Sequence, residues 1–258
     1  MLKRFYGLLL LICIALCGCS KKEPELVDTL SQIIQKDVIT VGVKTDAPPF
    51  GYLDKDGKNI GFDVDLAKII AKNILKDENK IAFIPVNTSN RIMKLASKEV
   101  DIVIATMSIT PQRQQILDFS VPYYTAGQAI LVKKESPITS LMELSNKKVI
   151  IVFGSTVEKS LRSAVPHVKV VGYKTYPEAV EALKAGKADA MIADDTILMG
   201  FTIKDDSIKI LPKRYSQEPY AVAVRKEDER LREAIDFEIQ NALDKGIIRQ
   251  LKSKWEIN

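Results

Sequence analysis

Two apolar patterns alternate along the chain. Short unbroken runs at Val38–Val43, Ile81–Val86, Ile102–Ala105 and Lys147–Val152 have the length and β-branched content of strands in a parallel sheet. Between them apolar residues recur every three to four positions, as at Leu66, Ala67, Ile70, Ala71 and Ile74 and again at Ile92, Leu95 and Ala96, which predicts helices with one buried stripe. From Asp228 to Trp255 the helical spacing returns with Leu231, Ile235, Ala242, Leu243, Ile247 and Leu251, and Trp255 reads as packing. Asp54-Lys55-Asp56-Gly57, after the loop Ala47-Pro48-Pro49-Phe50, predicts a hairpin turn. Strand and helix in alternation predict an α/β fold.

The helix starts carry features that packing does not demand. Thr110 before Pro111 is an N-cap with proline at the first helical position, which puts Arg113 in the first turn. A cation there is disfavoured by about 0.3–1 kcal/mol, so it calls for an anion. Arg91, in the first turn of a helix opened by Ser89, repeats the anomaly. Ser155 and Glu158, three apart after Gly154, have the spacing of a capping box, a helix start whose free N–H groups make an anion seat. Asp63 and Asp65 read as cap and packing residues, the first also placed to orient a pocket wall.

An internal echo divides the chain. Leu95–Thr106 matches Leu183–Asp194 in kind, each running helix, tight turn, aspartate, buried strand. Thr106 and Asp194 then lie just past the C-terminal ends of strands, where open α/β sheets hold ligands, while Asp101 and Asp189 are turn residues at the far edge. Two similar lobes facing each other across a cleft follow, with Ala126–Val132 and Tyr220–Val224 as strand-like crossings that serve as hinges.

Composition narrows the chemistry. The 258 residues are 46% apolar, enough for two cores. Lys3 and Arg4 precede the run Leu8–Leu16, too short to span a bilayer and of the length of a signal-peptide core. All three cysteines fall at positions 13, 17 and 19, so the processed domain has no disulfide, thiol nucleophile or thiolate metal site. The formal charge of +5, or +3 without the signal, comes with no basic stripe interleaved with aromatics, which argues against nucleic acid. His167, the one histidine, follows Pro166 in a loop and is assigned no function. No metal or cofactor is implied.

Thr106-Met107-Ser108-Ile109-Thr110-Pro111-Gln112-Arg113, followed by Asp118-Phe119-Ser120-Val121-Pro122-Tyr123-Tyr124, resembles the core of the family 3 bacterial solute-binding proteins, the amino-acid receptors of ABC importers. Gly61-Phe62-Asp63-Val64-Asp65-Leu66-Ala67 is similar to that family's signature segment, and Asp46 through Phe50 lies where the family places the first pocket wall. Leu16-Cys17-Gly18-Cys19 resembles a lipobox in which Cys19 receives the lipid, such as palmitate, that anchors a periplasmic or cell-surface lipoprotein. The resemblance implies a two-lobed Venus flytrap fold of type II with two hinge strands. On that reading residues 1–18 are signal peptide, 19–36 a lipidated tether that includes a short lead-in helix, 37–130 and 221–258 the first lobe, and 131–220 the second. The partners it implies are a free amino acid, the permease subunits in the membrane, and the membrane itself through the lipid.

Under this resemblance Arg113, Ser108 and the helix start at Ser155 and Thr156 take the ligand carboxylate, and Asp194 with Thr106 and Ser108 takes the ammonium. Phe50 and Met107 complete the pocket. If Asp46 neutralises Lys44, Arg91 is left for a side-chain anion, and three cations against Asp46 and Asp194 complement a ligand of net charge −1. Glutamate or aspartate is therefore expected ahead of a neutral amino acid such as glutamine or cysteine. A dehydratase on the same fold is the enzymatic alternative, but the full amino-acid set Arg113, Thr156 and Asp194 argues for capture without turnover.

Overall fold

A computed structural model describes residues 28–203 and 205–257. The signal peptide and Cys19 lie outside the described residues. Two five-stranded sheets carry the structure. The first is ordered Ile81–Val86, Ile39–Lys44, Ile102–Val103, Ala223–Arg225, Leu117–Phe119; the second is ordered Lys169–Tyr173, Lys148–Val152, Ala190–Asp194, Gln128–Lys133, Ile208–Ile210. In both, three parallel strands are followed by one antiparallel strand that arrives from the other half of the chain. Helices cover the faces, so the inner apolar runs are buried on both sides, while the edge run Ile81–Val86 is half-buried. This is the two-lobed periplasmic binding protein architecture.

The echo between the halves extends to single hydrogen bonds. Asp101 donates its N–H to Thr40 O at 2.8 Å and accepts from Thr40 N–H at 2.9 Å; Asp189 does the same with Lys148 O and N–H, at 2.9 and 2.8 Å. Each aspartate closes the turn before its strand and pins it to the start of the neighbouring strand, at the sheet end away from Thr106 and Asp194.

The connection between the lobes is a two-stranded antiparallel ribbon, Tyr124–Ala126 with Glu218–Tyr220, in which Ala126 stands opposite Glu218. The crossing comes earlier than residues 130 and 131: the whole strand Gln128–Lys133 pairs within the second sheet, because its apolar run Ala129–Val132 is buried between the two cores of that lobe. The tether is also shorter than residues 19–36. The helix Thr29–Lys36 belongs to the first lobe, with Ile33 wholly buried in its core, Asp28 paired with Arg230, and Thr29 Oγ1 accepting from Arg225 Nη2 at 3.0 Å. Among the described residues no helix is long and apolar enough to cross a membrane.

Candidate functional site

The C-terminal ends of the first lobe's strands carry an unusual density of buried charge. Lys44 ends its strand with no exposed surface and donates from Nζ to Thr88 Oγ1 at 2.7 Å. Burial pushes its ammonium down to about 7 against the upward pull of Asp46. Arg91, 2% exposed, is the first residue of the helix Arg91–Ala96 and sends Nη1 to the carbonyls of Ala105 and Thr106. Thr106 holds a left-handed backbone, φ 46°, which a threonine keeps only when its surroundings over-determine it. They do. Asp63 accepts from Thr106 N–H at 2.8 Å on one oxygen and from Tyr123 OH at 2.8 Å on the other, while Arg91 holds the carbonyl. Burial raises the Asp63 carboxyl to about 7.

Arg113 enters from the next turn. Thr110 caps that turn by accepting from Arg113 N–H at 3.2 Å, with Pro111 at the first helical position. The guanidinium donates to Ser108 O at 2.8 Å and, across the cleft, to Gly154 O at 3.0 Å. Burial first, and then the charge of Arg91, bring it down to about 10. A buried guanidinium with a second one near enough to depress it makes a seat for an anion.

The second lobe answers with the helix Val157–Ala164 and with Asp194. Thr156 stands at the cap position; its Oγ1 donates to Glu218 Oε2 at 3.1 Å and accepts from Gln128 Nε2 at 2.9 Å. Gln128 Nε2 also donates to Glu218 Oε1 at 3.0 Å, so one network joins the helix start to both hinge crossings. Asp194 ends its strand and accepts from Tyr220 OH at 2.5 Å. Burial, and then the nearby carboxylate of Glu218, raise it to about 6.

The lobes are closed on one another through backbone as well as side chains. A methyl on Gly154 would stand 2.6 Å from Thr88 O, and one on Gly200 would collide with Pro48 O. Tyr176, the first residue of the helix Tyr176–Lys184, donates its N–H to Asp46 Oδ2 at 3.4 Å and lays its ring under Lys44 Nζ, 4.2 Å from the centroid.

Arg113, Ser155 and Thr156 line one cavity with Gln128, Gly154 and Glu218, while Lys44, Asp46, Arg91 and Asp194 form a buried cluster whose charges act on one another. Four expectations are corrected. Lys44 makes no ion pair with Asp46 but engages Thr88 and Tyr176. Arg91 gives its Nη1 to backbone carbonyls, so only the rest of its guanidinium, including a buried Nε without a partner, remains for a ligand. Ser155 and Glu158 form no capping box: with Thr156 at the cap, Glu158 is the second helical residue, one short of the required third, and it pairs with Arg162 Nε at 3.0 Å. Met107 turns into the core beneath the site with Leu95 and Leu117, and Phe50 is enclosed by Phe62, Tyr124 and Tyr220. Smaller departures follow the same logic. The helix carrying Arg91 begins after Asn90, not Ser89, because Asn87 Oδ1 collects the N–H groups of Ser89 and Asn90. The Asp63 carboxylate serves Thr106 and not its own helix. Sequence reasoning missed Thr88, Gln128, Tyr176, Glu218 and Tyr220, and only the buried Gln128 and Glu218 beside the predicted crossings offered a signal.

A profile of the bacterial extracellular solute-binding proteins, family 3, matches residues 39–258. The chain is 36% identical over 266 aligned residues to an ABC transporter glutamine-binding protein of Bacillus subtilis, covering 98% of this chain and 97% of the relative. It is 38% identical to a glutamine-binding protein of Geobacillus stearothermophilus, over 83% of this chain and 87% of that one. The crystal structure of a cysteine-binding protein from Campylobacter jejuni superposes with a TM-score of 0.85 at 34% identity, covering 88% of this chain and 92% of that chain. Sequence profile, whole-length relatives and lobe architecture agree, and the chain belongs to the bacterial extracellular solute-binding proteins, family 3.

Proposed function

We propose that this protein captures a neutral polar amino acid, glutamine foremost, between its lobes and presents it to the permease of an ABC importer. As a member of its family it is a binding protein and not an enzyme. Arg113 takes the α-carboxylate together with the helix start at Ser155 and Thr156; the hydroxyl of Thr156 is already committed to Glu218 and Gln128, so backbone N–H groups and the unpartnered Ser155 Oγ supply the donors. Asp194 takes the ammonium, with Thr106 and Ser108 beside it.

The choice of side chain rests on Asp46 Oδ1, buried and without a donor. A buried acceptor left unpaired costs roughly 1–3 kcal/mol, and an amide –NH2 supplies what it lacks where a carboxylate cannot. Charge agrees. Glu218 and Asp63, absent from the sequence-level count, add buried carboxyls to Asp46 and Asp194 against Lys44, Arg91 and Arg113, which removes the cation surplus that an acidic ligand would complement. The charge count then no longer favours glutamate or aspartate, and the glutamine-binding relatives support the amide. Likeness to a cysteine-binding protein makes cysteine the second reading. Calorimetry decides: glutamine is expected to bind at least about tenfold more tightly than glutamate or aspartate, a margin of about 1.4 kcal/mol. Glutamate binding as tightly as glutamine overturns the choice, and cysteine ahead of both moves it to the second reading.

Cys19 is the site of the lipid on this reading, holding the receptor on the outer face of a membrane. Replacing it with serine is expected to release the protein on detergent-free fractionation with ligand affinity unchanged.

A further inference from the structure

Lys44 is a residue the core does not require. It lies at the end of a buried strand with no exposed surface, where an uncompensated ammonium is costly. Its surroundings are of three kinds. Tyr176 offers an aromatic face 4.2 Å from Nζ, Thr88 Oγ1 accepts at 2.7 Å, and Asp46 is the strongest opposite charge acting on it. An aromatic face, a neutral acceptor and a carboxylate, all desolvated, are what recognises an organic cation. Thr88 and Asp46 come from the first lobe and Tyr176 from the second, so the arrangement is complete only with the lobes closed.

We propose that Lys44 is a specificity-determining residue: its own ammonium fills a cation seat at the side-chain end of the cleft, so that amino acids with cationic side chains are refused. The proposal rests on the neutral-ligand reading for which end of the cleft receives the side chain. A guanidinium or ammonium entering there meets Lys44 in the seat and the charge of Arg91 close by, two like charges that are themselves buried. A neutral amide meets no such opposition and still finds Asp46 Oδ1 free.

The test is Lys44→Met, which keeps an unbranched side chain of similar length and removes the charge. Arginine and lysine are titrated calorimetrically into wild type and variant, with glutamine as reference. The ratio of arginine to glutamine affinity is expected to rise at least about tenfold. Lys44→Met combined with Asp46→Asn should cancel that gain, since the carboxylate of the seat is gone. Lys44→Gln, which retains a donor for Thr88, is the second variant should the first fail to fold, and it is expected to shift the ratio in the same direction. A folded variant that refuses arginine as firmly as wild type overturns the seat, as does arginine binding to wild type at glutamine's affinity. Wild type that prefers glutamate, with the arginine gain still present in the variant, overturns the neutral-ligand reading and leaves the seat standing.

Discussion

The two lobes share strand order, turn aspartates and even the hydrogen bonds those aspartates make, yet they equip their facing edges differently. The first lobe holds Asp63, Arg91 and Arg113 on its own backbone and Lys44 on the hydroxyl of its own Thr88. The second offers one carboxylate, Asp194, and a helix start held to the hinge by Glu218 and Gln128. Equivalent positions past the strand ends, Thr106 and Asp194, have become a strained backbone buttressed from three sides and a single acceptor. The same topology thus builds one edge dense in buried charge and one plainer edge.

The division is open to test, beginning with the largest effect. Arg113→Met should weaken every amino acid alike, by about 2–5 kcal/mol, because the carboxylate it holds is common to all of them. Calorimetry showing loss for one ligand class only would move Arg113 out of the shared recognition set. Gly200→Ala places a methyl against Pro48 O and should penalise the closed form by about 1–3 kcal/mol. X-ray scattering at saturating ligand should then show a larger radius than wild type, while the melting temperature without ligand stays put.

Proton linkage separates the lobes further. Asp63 in the first lobe is raised from 3.8 to about 7, so between those values the folded chain holds a proton that the unfolded chain has lost. Stability from this group is present below pH 3.8 and is lost as pH rises to 7. Lys44, lowered from 10.5 to about 7, acts oppositely: the unfolded chain holds the extra proton between 7 and 10.5, and stability rises with pH across that window. Denaturation of Asp63→Asn and Lys44→Met against wild type should remove the acid-side fall and the alkaline rise respectively. Asp194, at about 6, should instead show itself in binding, with affinity declining as pH falls below 6 and its carboxylate is protonated. Smallest is Trp255→Phe, which forfeits the bond from Nε1 to Asp65 Oδ2 at 2.8 Å and should cost about 0.5–1.5 kcal/mol in thermal unfolding without touching affinity.

What could be read from sequence is what depends on neighbours in sequence. Strand runs, helix stripes, the Thr110 cap, the first-turn position of Arg113 and the repeat that pairs Thr106 with Asp194 all follow from local spacing, and the lobes, their sheets and two walls of the cleft follow from them. Tyr176 was beyond such reasoning, because its partner Asp46 is 130 residues away and its own surroundings read as an ordinary helix start with Pro177 and Glu178. Glu218 likewise acquires its meaning from Gln128 and Thr156, 90 and 62 residues distant. Lys44 and Arg91 were visible as cations, but charge counting assigns every cation to the ligand, whereas buried carbonyls and hydroxyls compete for the same donors. Ser155 and Glu158 show the limit of spacing itself: the helix starts one residue later than the motif implies, and the motif dissolves.

The ribbon between the lobes has a consequence for how much of the chain a minimal receptor needs. Ala126 and Glu218 are opposed in an antiparallel pair, so everything from Gly127 to Gln217 is an excursion that leaves and re-enters the first lobe at adjacent points. A two-residue Asn-Gly turn joining those strands would excise the second lobe as a hairpin shortcut. The remainder keeps the helices Thr29–Lys36, Glu229–Asp244 and Ile247–Lys254, its own core, Lys44 on Thr88, and the set of Asp63, Arg91, Thr106 and Arg113 braced by its own backbone. Such a half-receptor is a fragment in which the anion seat can be studied uncoupled from closure.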